Sequence, residues 1–80
     1  MDDAELIARI EALVQEEHEL REREEAEGAS GDERGRIAQL EVALDRLWDL
    51  LRQRRALREA GRSPDDASLR DASTVEDYEQ

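Results

Sequence analysis

Two runs of helically spaced apolar residues meet at Gly28-Ala29-Ser30-Gly31, and that arrangement leaves the chain few possible folds. Before the glycines, Leu6, Ile7, Ile10, Leu13, Val14 and Leu20 recur at the three- and four-residue intervals of a helix face. After them, Ile37, Leu40, Leu44, Leu47, Trp48 and Leu51 repeat the pattern, and Arg54, Arg55, Arg58 and Arg62 continue the same stripe. The spacing predicts one helix over about residues 2–27 and a second over about 32–60. Asp2 and Asp3 suit the positive end of the first helix, and arginines crowd the negative end of the second. Asp32 is the expected N-cap of the second helix, and Gly61 its stop. A four-residue connection between long helices returns them antiparallel, as a coiled-coil-like hairpin over residues 1–62.

Residues 63–80 form a separate segment. Ser63-Pro64-Asp65-Asp66 reads as a helix start, with Ser63 as cap and Pro64 in the first position, and a short helix is expected to about Arg70. The acidic tail beyond it has Leu69, Val75 and Tyr78 as apolar anchors and is expected to be partly ordered.

The apolar faces are wider than a hairpin alone can cover. With Ala43, Leu50 and Leu57 included, the apolar positions of the second helix span roughly half its circumference, whereas one partner helix covers an arc on the order of 100°. The core is also thin, with 16 Leu, Ile and Val and no Phe in 80 residues. Chains of this size gain stability from staples or from assembly. These features predict a homodimeric four-helix bundle, an all-α architecture, with docking of the tail within a monomer as the competing solution. Trp48, Leu50, Leu51 and Leu57 are the residues expected to face a second copy or another protein.

Composition limits the chemistry. The chain has no cysteine, which excludes disulfides, thiolate metal sites and cysteine nucleophiles and fits a reducing cytoplasm. No apolar run approaches the ~20 residues of a membrane span, and no basic start leads into an apolar stretch as in a signal peptide, so a soluble cytoplasmic protein is expected. The net charge of −11 opposes general binding to nucleic acid. The charge is uneven: residues 1–27 carry eleven acidic and three basic side chains, residues 28–62 six and eight. All twelve basic residues are arginine.

Three clusters could carry function. Arg52, Arg54, Arg55, Arg58 and Arg62 could form a guanidinium patch for an anion or nucleic acid. Antiparallel pairing, however, sets residues 54–58 opposite residues 2–6, so Arg54, Arg55 and Arg58 are expected to pair with Asp2, Asp3 and the acidic tail and close the open end of the hairpin. Glu17 and His18, with Glu41 and Asp45 across the hairpin, are the best group available for a metal. The Glu-x-x-His pattern of di-iron bundles is missing, because Gln15 stands three residues before His18. Glu17 is expected instead to pair with an arginine across the bundle, and no metal or cofactor is expected. Finally, Glu22, Glu24, Glu25, Glu27, Asp32 and Glu33 make the hairpin tip acidic. In shape and charge this resembles the hairpin factors that enter the RNA polymerase secondary channel, where carboxylates help hold Mg²⁺. A nucleophilic triad and a glycine-rich phosphate loop have no basis here, and a two-helix rod offers no enclosed cleft, so no enzyme is expected.

The stretches at residues 1–21 and 44–80 together resemble a family of short actinobacterial proteins of unknown function. The Glu16–His18 triplet, the run from Trp48 to Ala56 and the turn from Ser63 to Ala67 carry most of that resemblance. It implies a free-standing protein and brings no activity, cofactor or partner with it. The expected role is a small non-catalytic interaction or adaptor protein acting through a bundle surface. The alternative is a regulator that contacts anions, nucleic acid or RNA polymerase through its arginines or its acidic tip.

Overall fold

The computed structural model describes residues 1–28, 30–71 and 73–75. Helix α1 runs over Asp3–Glu27 and helix α2 over Gly31–Glu59. They pack as an antiparallel hairpin within an envelope of 50 × 26 × 15 Å. A 3-10 turn at Pro64–Asp66 follows, residues 67–71 are irregular, and Ser73, Thr74 and Val75 are helical. There is no strand among the described residues, and no helix is long and apolar enough to cross a membrane.

The helix ends follow from local hydrogen bonding. Asp2 caps α1, its carboxylate accepting from the Glu5 N–H at 2.8 Å. Gly28, with φ of 77°, ends α1 in a conformation that a side chain would oppose. The cap of α2 is Ser30 rather than the expected Asp32: its hydroxyl accepts from the Glu33 N–H at 3.1 Å and Glu33 accepts from the Ser30 N–H at 3.4 Å. That reciprocal box uses a glutamate three residues on, and it places Gly31 inside the helix rather than in the turn. At the other end the N–H groups of Gly61 and Arg62 reach back to the carbonyls of Arg58 and Leu57, the double closure of a Schellman motif around a glycine with φ of 74°.

The core is the seam between the helices. Leu6, Ile10 and Leu13 of α1 pack with Leu40, Leu44 and Leu51 of α2, and Leu20, Ala43, Leu47 and Leu50 lie half-buried against them. Leu51 is 2% exposed, so the partner-facing role expected for it is corrected: its place on the stripe points it at α1.

The expected helix to Arg70 is also corrected. Only Pro64–Asp66 turns, after which the chain runs back along α2 as a strap. Side chains of α2 hold its backbone. Arg54 donates to the Pro64 carbonyl at 3.2 Å, Gln53 to Ser68 at 2.8 Å and Arg46 to Arg70 at 2.8 Å. These donors replace the helical hydrogen bonds that residues 67–70 forgo. Arg70 forms a two-point ion pair with Asp49, both contacts at 2.9 Å, and Val75 is buried to 2%. Asp71 caps this last turn, accepting from the Thr74 N–H and the Ser73 hydroxyl, and these bonds hold its carboxyl below the ordinary aspartate value. Tail docking therefore occurs as far as Val75, and Tyr78 lies outside the described residues.

Candidate functional site

The strap covers one side of the seam and leaves the other open. On the open side Trp48, Ile7 and Val14 are 43%, 40% and 44% exposed. With Ile10, Glu11 and Gln15 they line a shallow apolar groove of about 380 Å³ that straddles both helices. Helical geometry accounts for it. Ile7 and Val14 lie seven residues apart on α1, just outside the Leu6–Ile10–Leu13 line, and Trp48 lies just outside the Leu44–Leu51 line on α2. An apolar stripe wider than one helix contact must leave its margin in water unless something covers it.

Of the residues expected to face a partner, Trp48 alone lies in this groove. Leu50 packs half-buried against the core, and Leu57 lies in a different groove beside the strap. Ile7 and Val14, which broaden the apolar face of α1, also line this groove, although they are not among the residues expected to face a partner. Their seven-residue spacing beside the α1 core line is the signal that marks them.

The arginines divide. Arg54, only 6% exposed, bonds Asp3 at 2.5 Å and Asp65 at 3.2 Å, and Arg58 bonds the other Asp3 oxygen at 2.6 Å. Arg54 and Arg58 thus close the open end of the hairpin as the charge pattern suggests, with Asp3 as the shared acid, whereas Asp2 caps α1 and Arg55 is exposed, which corrects the pairing expected for those two. Arg52 and Arg62 line the second groove, about 530 Å³, with Asp49, Asp66, Arg70 and Leu57, and Arg55 is exposed. The five positions therefore do not converge on one anion-sized site.

The Arg54 guanidinium, and after it that of Arg58, holds the Asp3 carboxyl below the ordinary aspartate value. The unfolded chain then takes up this proton first. The stabilisation is complete above the ordinary aspartate value near pH 4 and is lost as pH falls through the lower, folded value. Asp3→Asn is expected to lower the urea midpoint at pH 7 and to flatten its decline below about pH 4. Equal midpoint-against-pH curves for the two proteins would remove Asp3 from the account of acid stability.

The four carboxylate and imidazole positions do not form a metal centre. His18 lies exposed against Glu22, one turn away at 2.8 Å. Glu17 sits 3.8 Å from Arg21 on its own helix, which corrects the expected pairing across the bundle. It is Arg21 that crosses, to Glu41. Asp45 is half-buried on α2, and among the described residues no three His, Cys, Asp or Glu side chains gather as metal ligands. At the tip, Arg23 bonds Glu33 at 3.0 Å, and further along Arg36 grips Glu16 through two bonds of 2.6 and 2.9 Å. Arg36 thereby holds the Glu16 carboxyl below the ordinary glutamate value. Glu24, Glu25 and Glu27 remain exposed.

Relatives share this sequence almost end to end. The chain is 46% identical over 77 residues to an uncharacterized protein of Mycobacterium tuberculosis, in an alignment that covers 95% of this chain and 88% of the relative. An uncharacterized protein of Mycobacterium bovis matches with the same identity and coverage. No solved structure matches the chain. The family model described as "Protein of unknown function (DUF2630)" matches residues 2–80, and the chain belongs to that family.

Proposed function

We propose that this protein is a small non-catalytic interaction protein that works through the open face around Trp48. The observation that carries the reading is the half-exposed indole seated between Ile7 and Val14 on the side of the seam that the strap leaves bare. Tryptophan is enriched among the residues that dominate binding energy, because a large rigid ring is desolvated at small entropic cost. The grooves are open and shallow, a poor setting for the perturbed carboxylates that acid–base catalysis needs. Contact with anions or nucleic acid draws less support, because Arg54 and Arg58 are committed to Asp3. The reading places the protein in the cytoplasm, which suits a cysteine-free chain.

Affinity capture from extracts of the native cell, with the wild-type chain and Trp48→Glu side by side, tests this reading. Far-UV circular dichroism first establishes that both are equally helical. A set of polypeptides retained by the wild type and lost with the variant is expected. Identical sets would overturn the reading.

A further inference from the structure

We infer that the strap beyond the Pro64–Asp66 turn, as far as Val75, is a latch that lifts from α2 as one unit while the hairpin stays folded. The way the strap is held carries the inference. Among the described residues none beyond Gly61 belongs to the apolar cluster of the seam. The end of α2 is likewise complete without the strap, since the N–H groups of Gly61 and Arg62 close it on Arg58 and Leu57. Polar groups of α2 fasten the strap instead. Arg46 and Gln53 donate to the carbonyls of Arg70 and Ser68, both at 2.8 Å, and Arg70 pairs with Asp49. Of the strap's Leu69 and Val75, only Val75 is buried. Lifting the strap therefore exposes little apolar surface, and it returns the Asp49 carboxylate, 3% exposed, to water. Hydration of the separated charges offsets much of the attraction that is lost. The hairpin, by contrast, opens only by exposing all six buried side chains of its seam. A segment whose release costs so much less than that of the core opens ahead of it. The Pro64–Asp66 turn is the hinge, because Arg54, which holds Asp3, also holds the Pro64 carbonyl and Asp65.

Opening changes what α2 presents. Gln39, Val42, Arg46, Asp49, Gln53 and Ala56 recur at alternating steps of three and four residues and form one outer stripe of the helix. The strap is fastened over the middle of that stripe, at Arg46, Asp49 and Gln53. Toward the tip of the hairpin the stripe continues as a groove of about 370 Å³ lined by Ala38, Val42 and Ala43. Toward the end of α2 it continues as the groove of about 530 Å³ that includes Ala56 and Leu57. The closed strap keeps the two grooves apart, and the open strap joins them along the helix.

Native-state amide exchange, followed residue by residue by NMR, tests the latch on the full chain. The N–H groups of Thr74 and Val75, which bond Asp71, are expected to be less protected than those of Leu40 and Leu44 in the seam by about tenfold or more. Gln53→Ala is expected to speed exchange at Thr74 and Val75 alike by about tenfold, although its contact with the strap is at Ser68. Ile10→Val trims one carbon from the seam, and it is expected to speed Leu40 and Leu44 about fivefold while leaving Thr74 and Val75 unchanged. If Ile10→Val speeds all four amides alike, the strap is released only when the whole hairpin unfolds, and the inference is overturned. Equal protection of the four amides in the wild type overturns it as well. So does a Gln53→Ala chain in which Thr74 and Val75 exchange at the wild-type rate, since the strap would then fray piece by piece. Should Gln53→Ala fail to fold, the wild-type comparison and Ile10→Val decide.

Discussion

Leu40→Ala is expected to lower the unfolding free energy by about 2–5 kcal/mol, the cost of lost transfer energy plus the cavity left behind. Leu40 is 1% exposed and packs in the apolar cluster of the seam, against α1 residues of which Leu6 is fully buried. Six side chains make up the buried part of that cluster, so its neighbours have little freedom to collapse into the gap without opening the seam. A domain of this size holds on the order of 5 kcal/mol in total, and the substitution removes a large share of it. Leu69→Ala is the control: Leu69 is 46% exposed, and a loss below about 1 kcal/mol is expected. Urea denaturation followed by circular dichroism at fixed protein concentration measures both. A Leu40→Ala loss no larger than that of Leu69→Ala would mean that the α1–α2 seam is not where the stability resides.

Arg70→Ala is expected to cost about 3 kcal/mol, more than an exposed arginine normally contributes, because of what it leaves behind. Asp49 is 3% exposed, and its carboxylate is held by Arg70 and by the Gln53 amide at 3.0 Å. Removing the arginine strands a buried charge with one neutral donor. Replacing both members, as Asp49→Leu with Arg70→Ala, removes the stranded charge as well, and the double variant is expected to be more stable than Arg70→Ala alone. The same pair fastens the strap to α2. Amide exchange at Thr74 and Val75, whose N–H groups bond Asp71, is expected to accelerate in Arg70→Ala. A double variant that is weaker than the single would show that Asp49 has a role beyond receiving Arg70.

The hairpin was legible because each of its determinants is local. Apolar spacing marks the stripes, Gly28 and Gly61 mark the ends, and opposite charges at Asp3 and Arg54 sit where a turn near residue 30 must bring them. The cap of α2 lies two positions before the expected Asp32, since Asp32 and Ser30 are both good caps and only the glutamate three residues after Ser30 distinguishes them. The strap was poorly legible. Residues 67–71 have no period, and their backbone is held by Arg46 and Gln53, which the sequence presents as ordinary surface polar groups of α2. Asp49 stands in the same position: nothing nearby in sequence says that a carboxylate beside Trp48 will be buried.

By itself, then, the sequence determines that two amphipathic helices fold back at the glycines and that their apolar stripes are too wide for one another. Periodicity and turn chemistry act over a few residues and need no tertiary context. Only the tertiary structure decides how the excess width is divided. Leu51 turns inward, the strap takes the side of Leu47 and Leu50, and Ile7, Val14 and Trp48 remain in solvent. That division depends on which margin of each stripe the hairpin presents to the returning chain, a matter of long-range packing that spacing along one helix does not encode.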